Sequence, residues 1–279
     1  MNSDITKAVL PVAGRGMRLR PLTFHQPKGM VGVADKPIIH YLIDELVAAG
    51  IRQIIFVISE GQHQFQTYID SLAPDSEWVK LGVKFDFAIQ QEPKGSADAV
   101  LAAENFLNDE PFLVYFGDDL LAGPENAAKK FIEAYKKTKT PVMVLQKMPV
   151  EVLERYGVVK PEMVEKGLYK ILDVVEKPKR GEAPSDIASM GRYVLTADIF
   201  PLIKKAQNAL AEKRELPIAE VLRLYIKEGG QLYGWLFEGE YFDTGSKLGL
   251  LQAQAYYGLQ HPEFKEEFRK YLRKLLSKS

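Results

Sequence analysis

Gly14-Arg15-Gly16, with Arg18 two residues on and Lys28 behind Pro27, is a grouping that can hold phosphate. Backbone N–H groups of a glycine turn approach a phosphate closely, and arginine or lysine neutralises it. The turn follows the apolar run Ala8–Val12, so it stands where a strand ends. It is not a Walker A loop, because no G-x-x-x-x-G-K-[ST] is present, and Leu19 stands where a dinucleotide fingerprint needs its third glycine. A bare G-x-G also serves as an ordinary turn; the two cations are what favour phosphate.

Three later groupings offer complementary chemistry. Gly117-Asp118-Asp119 follows the buried run Phe112–Phe116. Two carboxylates there can hold Mg²⁺, which takes oxygen ligands and keeps substrate phosphates in its shell, or can simply cap a loop. Asp243 lies in Gly239-Glu240-Tyr241-Phe242-Asp243-Thr244-Gly245, before a helix expected from Ser246. It either caps that helix or meets Asp118 and brackets one metal. Glu176-Lys177-Pro178 ends a strand. Lys177 can bind a second phosphate and Glu176 can accept from sugar hydroxyls; the plain alternative is a surface ion pair. Pro178 restricts Lys177 to extended geometry. The four histidines, His25, His40, His63 and His261, have no metal spacing, and His40 reads as structural. With no nucleophile elbow and no cysteine, direct displacement fits better than covalent catalysis.

These groups need a scaffold. Ile38–Ala49 has a helical apolar period with Gly50 as its stop. Ile54–Ile58, Val83–Ile89, Phe112–Phe116 and Pro141–Leu145 read as strands; Gln62–Leu72, Gly95–Phe106 and Pro124–Lys137 read as helices. Such alternation predicts a parallel sheet with helices on both faces and a ligand site beyond the strands' carboxyl ends. Gly14–Arg18, Gln90–Gly95 and Gly117–Asp119 are therefore expected to converge. After residue 150 the pattern becomes antiparallel: Tyr156–Lys160, Leu168–Glu176 and Ser189–Leu195, with Glu165-Lys166-Gly167 as a turn. Glu215–Glu228 is a helix, Gln231–Phe237 and Tyr241–Asp243 are strands, and Ser246–Tyr257 and Pro262–Leu276 are closing helices. Phe264, Phe268, Leu272 and Leu275 recur at helical spacing in the last, as a surface helix or dimer contact would require.

Composition bounds the rest. The 279 residues are 46% hydrophobic and 27% charged with zero formal net charge. That fits one large α/β domain and exerts no global pull toward nucleic acid or anionic membrane. Without cysteine there are no disulfides and no thiol nucleophile. Met1–Lys7 lacks a signal-peptide pattern and no apolar stretch approaches a bilayer span of ~20 residues. The expectation is a cytoplasmic protein.

Taken together, the motifs resemble the bacterial-type UTP–glucose-1-phosphate uridylyltransferases, within the sugar-1-phosphate nucleotidyltransferases. Ala13–Arg18 is similar to that family's G-x-G-T-R loop and Pro27-Lys28 to its Pro-Lys step. Val174–Pro178, Gly191-Arg192-Tyr193-Val194-Leu195, Asp243-Thr244-Gly245 and Lys247-Leu248-Gly249 match its second half, so the likeness runs from about residue 7 to residue 260. The resemblance implies an α/β fold with a Rossmann-like mixed, mostly parallel sheet flanked by helices and a small antiparallel sugar-binding subregion. It divides the chain into a domain over 1–260, with a nucleotide half to about 150 and a sugar-phosphate half over 151–245, and a C-terminal amphipathic helix over 261–279. It implies attack of a sugar 1-phosphate oxygen on the α-phosphorus of a nucleoside triphosphate, with pyrophosphate leaving. Ala13 and Gly14 would contact base and triphosphate, Arg18 the β- and γ-phosphates, and Lys28 the α-phosphate region. Gln91 would read the pyrimidine and Gly95 pack against it; Asp118 and Asp243 would hold Mg²⁺. Gly157, Glu176 and Gly191 would bind sugar hydroxyls, and Lys177 the sugar phosphate. UTP and glucose 1-phosphate would be the substrates, and a homodimer or homotetramer the assembly. Met17 replaces the usual threonine, Gly29 a frequent glutamate and Pro217 a frequent glutamine, and Gly95-Ser96-Ala97-Asp98-Ala99 replaces G-L-G-H-A. These departures leave dTTP or another sugar 1-phosphate as rival substrates. A non-catalytic nucleotide-binding paralogue is disfavoured by Arg18, Lys28, Asp118, Lys177 and Asp243 occurring together.

Overall fold

Runs such as Ala8-Val9-Leu10 and Ile54–Ile58 are apolar at every position because both faces of their sheet are covered. The structure, a computed structural model, describes residues 5–72, 74, 76–210 and 214–277. Met1–Asp4 of the leader reading, and Lys278 and Ser279 of the 261–279 segment, lie outside them. The first half runs β1 (Lys7–Pro11), β2 (Gly32–Val33), β3 (Lys36–Pro37), α1 (Ile38–Ala48), β4 (Gln53–Ser59), α2 (Gln64–Asp70) and α3 (Glu77–Lys80). It continues with β5 (Lys84–Gln90), α4 (Ser96–Leu101), β6 (Phe112–Tyr115), β7 (Asp119–Ala122), α5 (Ala127–Thr138) and β8 (Val142–Lys147). The second half holds β9 (Gly157–Glu165), β10 (Leu168–Glu176), β11 (Ile187–Leu195), α6 (Ile199–Ala209) and α7 (Ile218–Lys227). It closes with β12 (Leu232–Leu236), β13 (Glu240–Asp243), α8 (Lys247–Gln260) and α9 (Lys265–Leu276).

Among the described residues the main sheet has nine strands in the order β5-β4-β1-β6-β11-β8-β12-β10-β9. β5, β4, β1 and β6 are mutually parallel, so their carboxyl ends share one edge. β11 enters antiparallel between β6 and β8, which stitches the two halves into one sheet. β9 and β10 form an antiparallel pair, joined at Gly167 with φ 80°, as the expected turn requires. Alternate residues feed opposite layers: Leu10 and Phe56 pack with Leu42 and Phe131, while Val9 and Ile55 pack with Ile199 and Val221. This is the mixed α/β architecture expected.

Four local readings change. The strand expected over Phe112–Phe116 ends at Tyr115, and Asp119 opens a second strand, β7, rather than closing a loop. β7 pairs with β13 as a separate two-stranded ribbon, in register Asp243↔Asp119. α5 starts at Ala127, not Pro124, because the Asn126 side chain accepts from Lys129 N–H and caps it. The helix expected over Gly95–Phe106 stops at Leu101, with a 3-10 turn at Glu104–Phe106. Helix α6 is unanticipated: only Ile199, Phe200 and Ile203 are buried, too few to announce a period, and Pro201 sits in the tolerated first turn.

Candidate active site

Arg18 sits in a 3-10 turn, Met17–Leu19, anchored by fully buried Leu19. Gly16 precedes it at φ 60°, where a Cβ would fall 2.9 Å from Thr23 Cγ2. Thr23 Oγ1 donates to Gly16 carbonyl at 2.8 Å and closes the loop. Glycine is thus required at Gly16 by geometry and space together. Lys28 opens a second 3-10 turn, Lys28–Met30. Gly29, where a glutamate was the family's frequent residue, is buried with its missing Cβ 3.2 Å from the Phe65 ring. Phe65 occupies the space a larger side chain would need.

The two cations reach the two carboxylates. Lys28 Nζ lies 2.6 Å from Asp118 Oδ2. Arg18 donates from Nη1 and Nη2 to Asp243 Oδ2 and Oδ1 at 2.9 and 3.2 Å, and its Nη2 is 3.8 Å from Asp118 Oδ2. Asp118 and Asp243 are brought together by the ribbon. Thr244, fully buried, donates from both N–H and Oγ1 to the Asp118 carbonyl at 2.9 and 2.8 Å. A Cβ on Gly245 would fall 2.6 Å from Asp118 Oδ2 and 3.1 Å from Asp243 Oδ1, so both carboxylates flank one point. Asp243 does not cap the following helix. That role belongs to Ser246, whose Oγ accepts from Gly249 N–H at 3.1 Å.

Beside these carboxylates opens a cleft of about 290 Å³. Arg18, Asp118 and Asp243 line it together with Gly157 of β9, Glu176 of β10, Lys177 just after it, and Gly191 of β11. Gly157 and Glu176 are register partners, and a Cβ on Gly157 would lie 3.3 Å from Glu176 Oε2. Burial raises the Glu176 carboxyl above the usual carboxylate range, against the opposing pull of Lys177 at 3.5 Å. Lys177 itself is not extended. Its φ is +46°, because β10 ends at Glu176 and the Lys177 N–H turns back to the Tyr156 carbonyl at 3.0 Å. The turn overrides the restriction that Pro178 was expected to impose.

The other expected residues lie around this cleft rather than lining it. Gly14 is exposed beside Lys28, whose Cε is 3.5 Å from the glycine's missing Cβ, and half-buried Ala13 precedes it. Gln91 is exposed at the end of β5. Gly95, at φ 105°, presses on the backbone of Leu216, with a would-be Cβ 2.5 Å from its N and O. Gln90, not Gln91, fixes this loop: its Nε2 donates to the Gly95 carbonyl and to Asp98 Oδ2 at 3.1 and 2.8 Å.

Asp119, the second carboxylate of the acid turn, also lines the cleft, as do Tyr241, Ser189 and Tyr193, which carried no expected site role. Burial, reinforced by the charge of Asp118, pushes the Asp119 carboxyl up to about 8. Tyr241 OH donates to Asp119 Oδ1 at 2.6 Å. Strand alternation was the available signal, since Tyr241 and Asp243 share one face of β13. Gly191, at φ 62° in an irregular stretch of β11, leaves room for Asp119, whose Oδ2 would be 2.3 Å from an added Cβ.

In sequence and in fold the chain is similar to known proteins. The chain is 34% identical to the UTP–glucose-1-phosphate uridylyltransferase of Staphylococcus epidermidis, over 97% of this chain and 98% of that one. A solved UDP-glucose pyrophosphorylase complexed with UDP-glucose superposes with a TM-score of 0.85 at 30% identity, over 92% of this chain and all of that one. UTP-bound UGPase from Acinetobacter baumannii does so with a TM-score of 0.84 at 30% identity, over 98% of this chain and all of that one. The nucleotidyl transferase family model matches residues 7–259. With a family model matching nearly the whole chain and a cleft lined by Arg18, Asp118, Asp243, Glu176 and Lys177, the chain belongs to the nucleotidyl transferase family.

Proposed function

We propose that the protein is a UTP–glucose-1-phosphate uridylyltransferase, joining UTP and glucose 1-phosphate into UDP-glucose and pyrophosphate. The observation that carries this reading is one cleft lined both by Arg18, Asp118 and Asp243 and by Gly157, Glu176, Lys177 and Gly191. The full-length likeness to a UTP–glucose-1-phosphate uridylyltransferase favours uridine and glucose over dTTP or another sugar phosphate.

In this reading residues 1–150 hold the nucleotide and 151–245 the sugar phosphate. A phosphate oxygen of glucose 1-phosphate attacks the α-phosphorus in line. The bond from the α-phosphorus to its bridging oxygen breaks, and the electron pair leaves with pyrophosphate. No protein nucleophile takes part, so the protein supplies alignment and charge. Arg18 draws charge from the leaving β- and γ-phosphates, and Lys28 from the α-phosphate. Ala13 and Gly14 offer backbone contacts to base and phosphates, and Gln91 reads the pyrimidine edge over Gly95. Lys177 orients the attacking phosphate while Glu176, with Gly157 and Gly191, holds the sugar hydroxyls.

Asp118 and Asp243 fit Mg²⁺: both are hard oxygen donors, and Asp118 Oδ2 and Asp243 Oδ1 lie together against Gly245, where a side chain would displace them. Among the described residues no third acid or histidine joins them, which leaves positions for substrate phosphates. Bound there, the cation would neutralise charge developing on the α-phosphate. The neutral net charge gives no attraction for nucleic acid, and among the described residues no helix is long and apolar enough to cross a membrane. A cytoplasmic homodimer or homotetramer completes the proposal.

The test is pyrophosphate release with UTP and dTTP, each against glucose, galactose and N-acetylglucosamine 1-phosphates. UTP with glucose 1-phosphate should give the highest kcat/KM. Release fastest with another pair would replace the substrate assignment, and release with none would remove the enzyme reading.

A further inference from the structure

We infer that Arg192, held by Glu45, is the positioning residue that sets the Asp118–Asp243 carboxylate pair against the cleft. Arg192 touches no residue of the reaction directly through its charge; it is fully buried beneath the site. Its Nη2 donates to the Asp119 carbonyl at 3.0 Å. Its Nη1 donates to Glu45 Oε1 and Oε2 at 2.6 and 2.8 Å, and its guanidinium lies 4.3 Å from the centre of the Tyr115 ring.

The location gives the bond its consequence. β7 and β13 carry Asp119 and Asp243, yet they form a ribbon separate from the main sheet. Something must fix the ribbon's place relative to the cleft wall made by β11. Arg192 belongs to β11, directly after Gly191, and bonds the first residue of β7. The neighbouring main-chain bond from Phe116 N–H to the Gly191 carbonyl, 3.1 Å, sits on the other side of the acid turn. Asp118 is thus suspended between two attachments to β11. Thr244 then passes the placement of Asp118 to Asp243 through its two bonds to the Asp118 carbonyl.

Glu45 makes the arginine stiff. Its Oε1 also accepts from Ala128 N–H at 3.1 Å, in the first turn of α5, and from Tyr115 OH at 3.3 Å. One carboxylate therefore joins α1, α5, β6 and the arginine. A buried ion pair is not needed for stability as such, since apolar groups of similar volume often replace one without loss. What apolar groups cannot supply is a directed, charge-assisted donor to the Asp119 carbonyl.

This inference rests on the nucleotidyl-transfer reading, and the experiment separates the two. Wild type, Arg192→Lys, Arg192→Met and the double variant Arg192→Met with Glu45→Met are compared. kcat and both KM values are measured by pyrophosphate release. Mn²⁺ binding is followed by electron paramagnetic resonance in the presence of a non-reacting UTP analogue, and Tm is recorded for each. Lysine keeps the pair with Glu45 but has no second nitrogen to hold Asp119 at the same time. Arg192→Lys is expected to lose about tenfold or more in kcat, with KM for UTP little changed and weaker Mn²⁺ binding. The double variant should regain Tm relative to Arg192→Met without regaining kcat. Arg192→Lys matching wild type in kcat and Mn²⁺ binding, or the double variant recovering both, would overturn the positioning role. Wild type releasing no pyrophosphate with any substrate pair defeats the underlying reading instead, and Mn²⁺ binding alone then decides Arg192.

Discussion

Asp243 carries the sharpest test at the scale of single residues. Its side chain is committed to Arg18 at 2.9 and 3.2 Å, while Ser246 caps α8. Asp243→Asn keeps the shape and removes the charge. It should lower kcat by about 100-fold, with circular dichroism and Tm close to wild type. Near-normal turnover would show that the carboxylate only tethers Arg18. Glu176 supplies a pH test. Burial holds its folded carboxyl above the ordinary value. Its contribution to stability is therefore fully present below the unfolded carboxyl pKa and is lost as pH rises through the raised folded value. Glu176→Gln should gain in Tm relative to wild type as pH climbs through that window. In wild type, KM for glucose 1-phosphate should rise as Glu176 takes up its proton on acidification. Because the substrate phosphate also titrates near pH 6, the readout is the ratio of wild type to Glu176→Gln. A ratio that stays flat with pH would detach Glu176 from the sugar.

Elements place these residues more tightly than the residues do themselves. Gly95 touches the Leu216 backbone, and the contact is closed by Ala97 N–H to the Leu216 carbonyl at 3.0 Å and Leu216 N–H to the Lys94 carbonyl at 2.7 Å. Ser96 Oγ accepts from Ile218 N–H at 2.9 Å. The loop after β5 is thus locked to the start of α7, which links the proposed base-reading loop to the far wall of the cleft. Gly95→Ala puts a Cβ into backbone at a φ that disfavours any side chain. A loss of about 1–3 kcal/mol in stability and a raised KM for UTP are expected, read by denaturant unfolding and initial rates. Unchanged KM with lowered stability would leave Gly95 a packing glycine alone. Parallel strands at the front were legible because continuous apolar runs mean burial on both faces. β7 was not: Asp119-Leu120-Leu121-Ala122 is short and its partner, β13, lies over a hundred residues away. Only pairing revealed that the acid turn leads into a strand, and hence that Asp119 meets Tyr241. The φ of Lys177 was misjudged for the same reason, since a non-local bond to Tyr156 outweighed the local effect of proline.

Over the whole molecule, β11 is the strand that makes one sheet of two halves, and it carries Gly191 and Arg192 to the site. α9 is the opposite case. Phe268 packs on Gly258 of α8, with its Cε1 2.8 Å from the position of an added Cβ, and no residue of α9 is buried. Tyr271, Leu275 and Leu276 are exposed. If the proposed homodimer or homotetramer forms through this helix, sedimentation velocity should give twice or four times the 31.5 kDa mass, and Leu275→Glu should reduce it. A wild-type monomer at all concentrations would remove the assembly from the proposal.

The sequence by itself determined the chemistry on offer and the order in which it appears: cations after β1, acids after β6, Glu176 and Lys177 after β10, Asp243 after β13. Side-chain types and apolar periods are local properties, so they survive in a string of letters. The tertiary structure alone decided which of these groups meet. It put Lys28 on Asp118 and Arg18 on Asp243, gave the capping role to Ser246, brought Asp119 and Tyr241 into the cleft and set Arg192 beneath them. Those outcomes depend on strand order, on the β7–β13 register and on the room that Gly191 leaves for Asp119. Each is a contact between distant segments, fixed by packing and hydrogen-bond satisfaction rather than by neighbours in the chain.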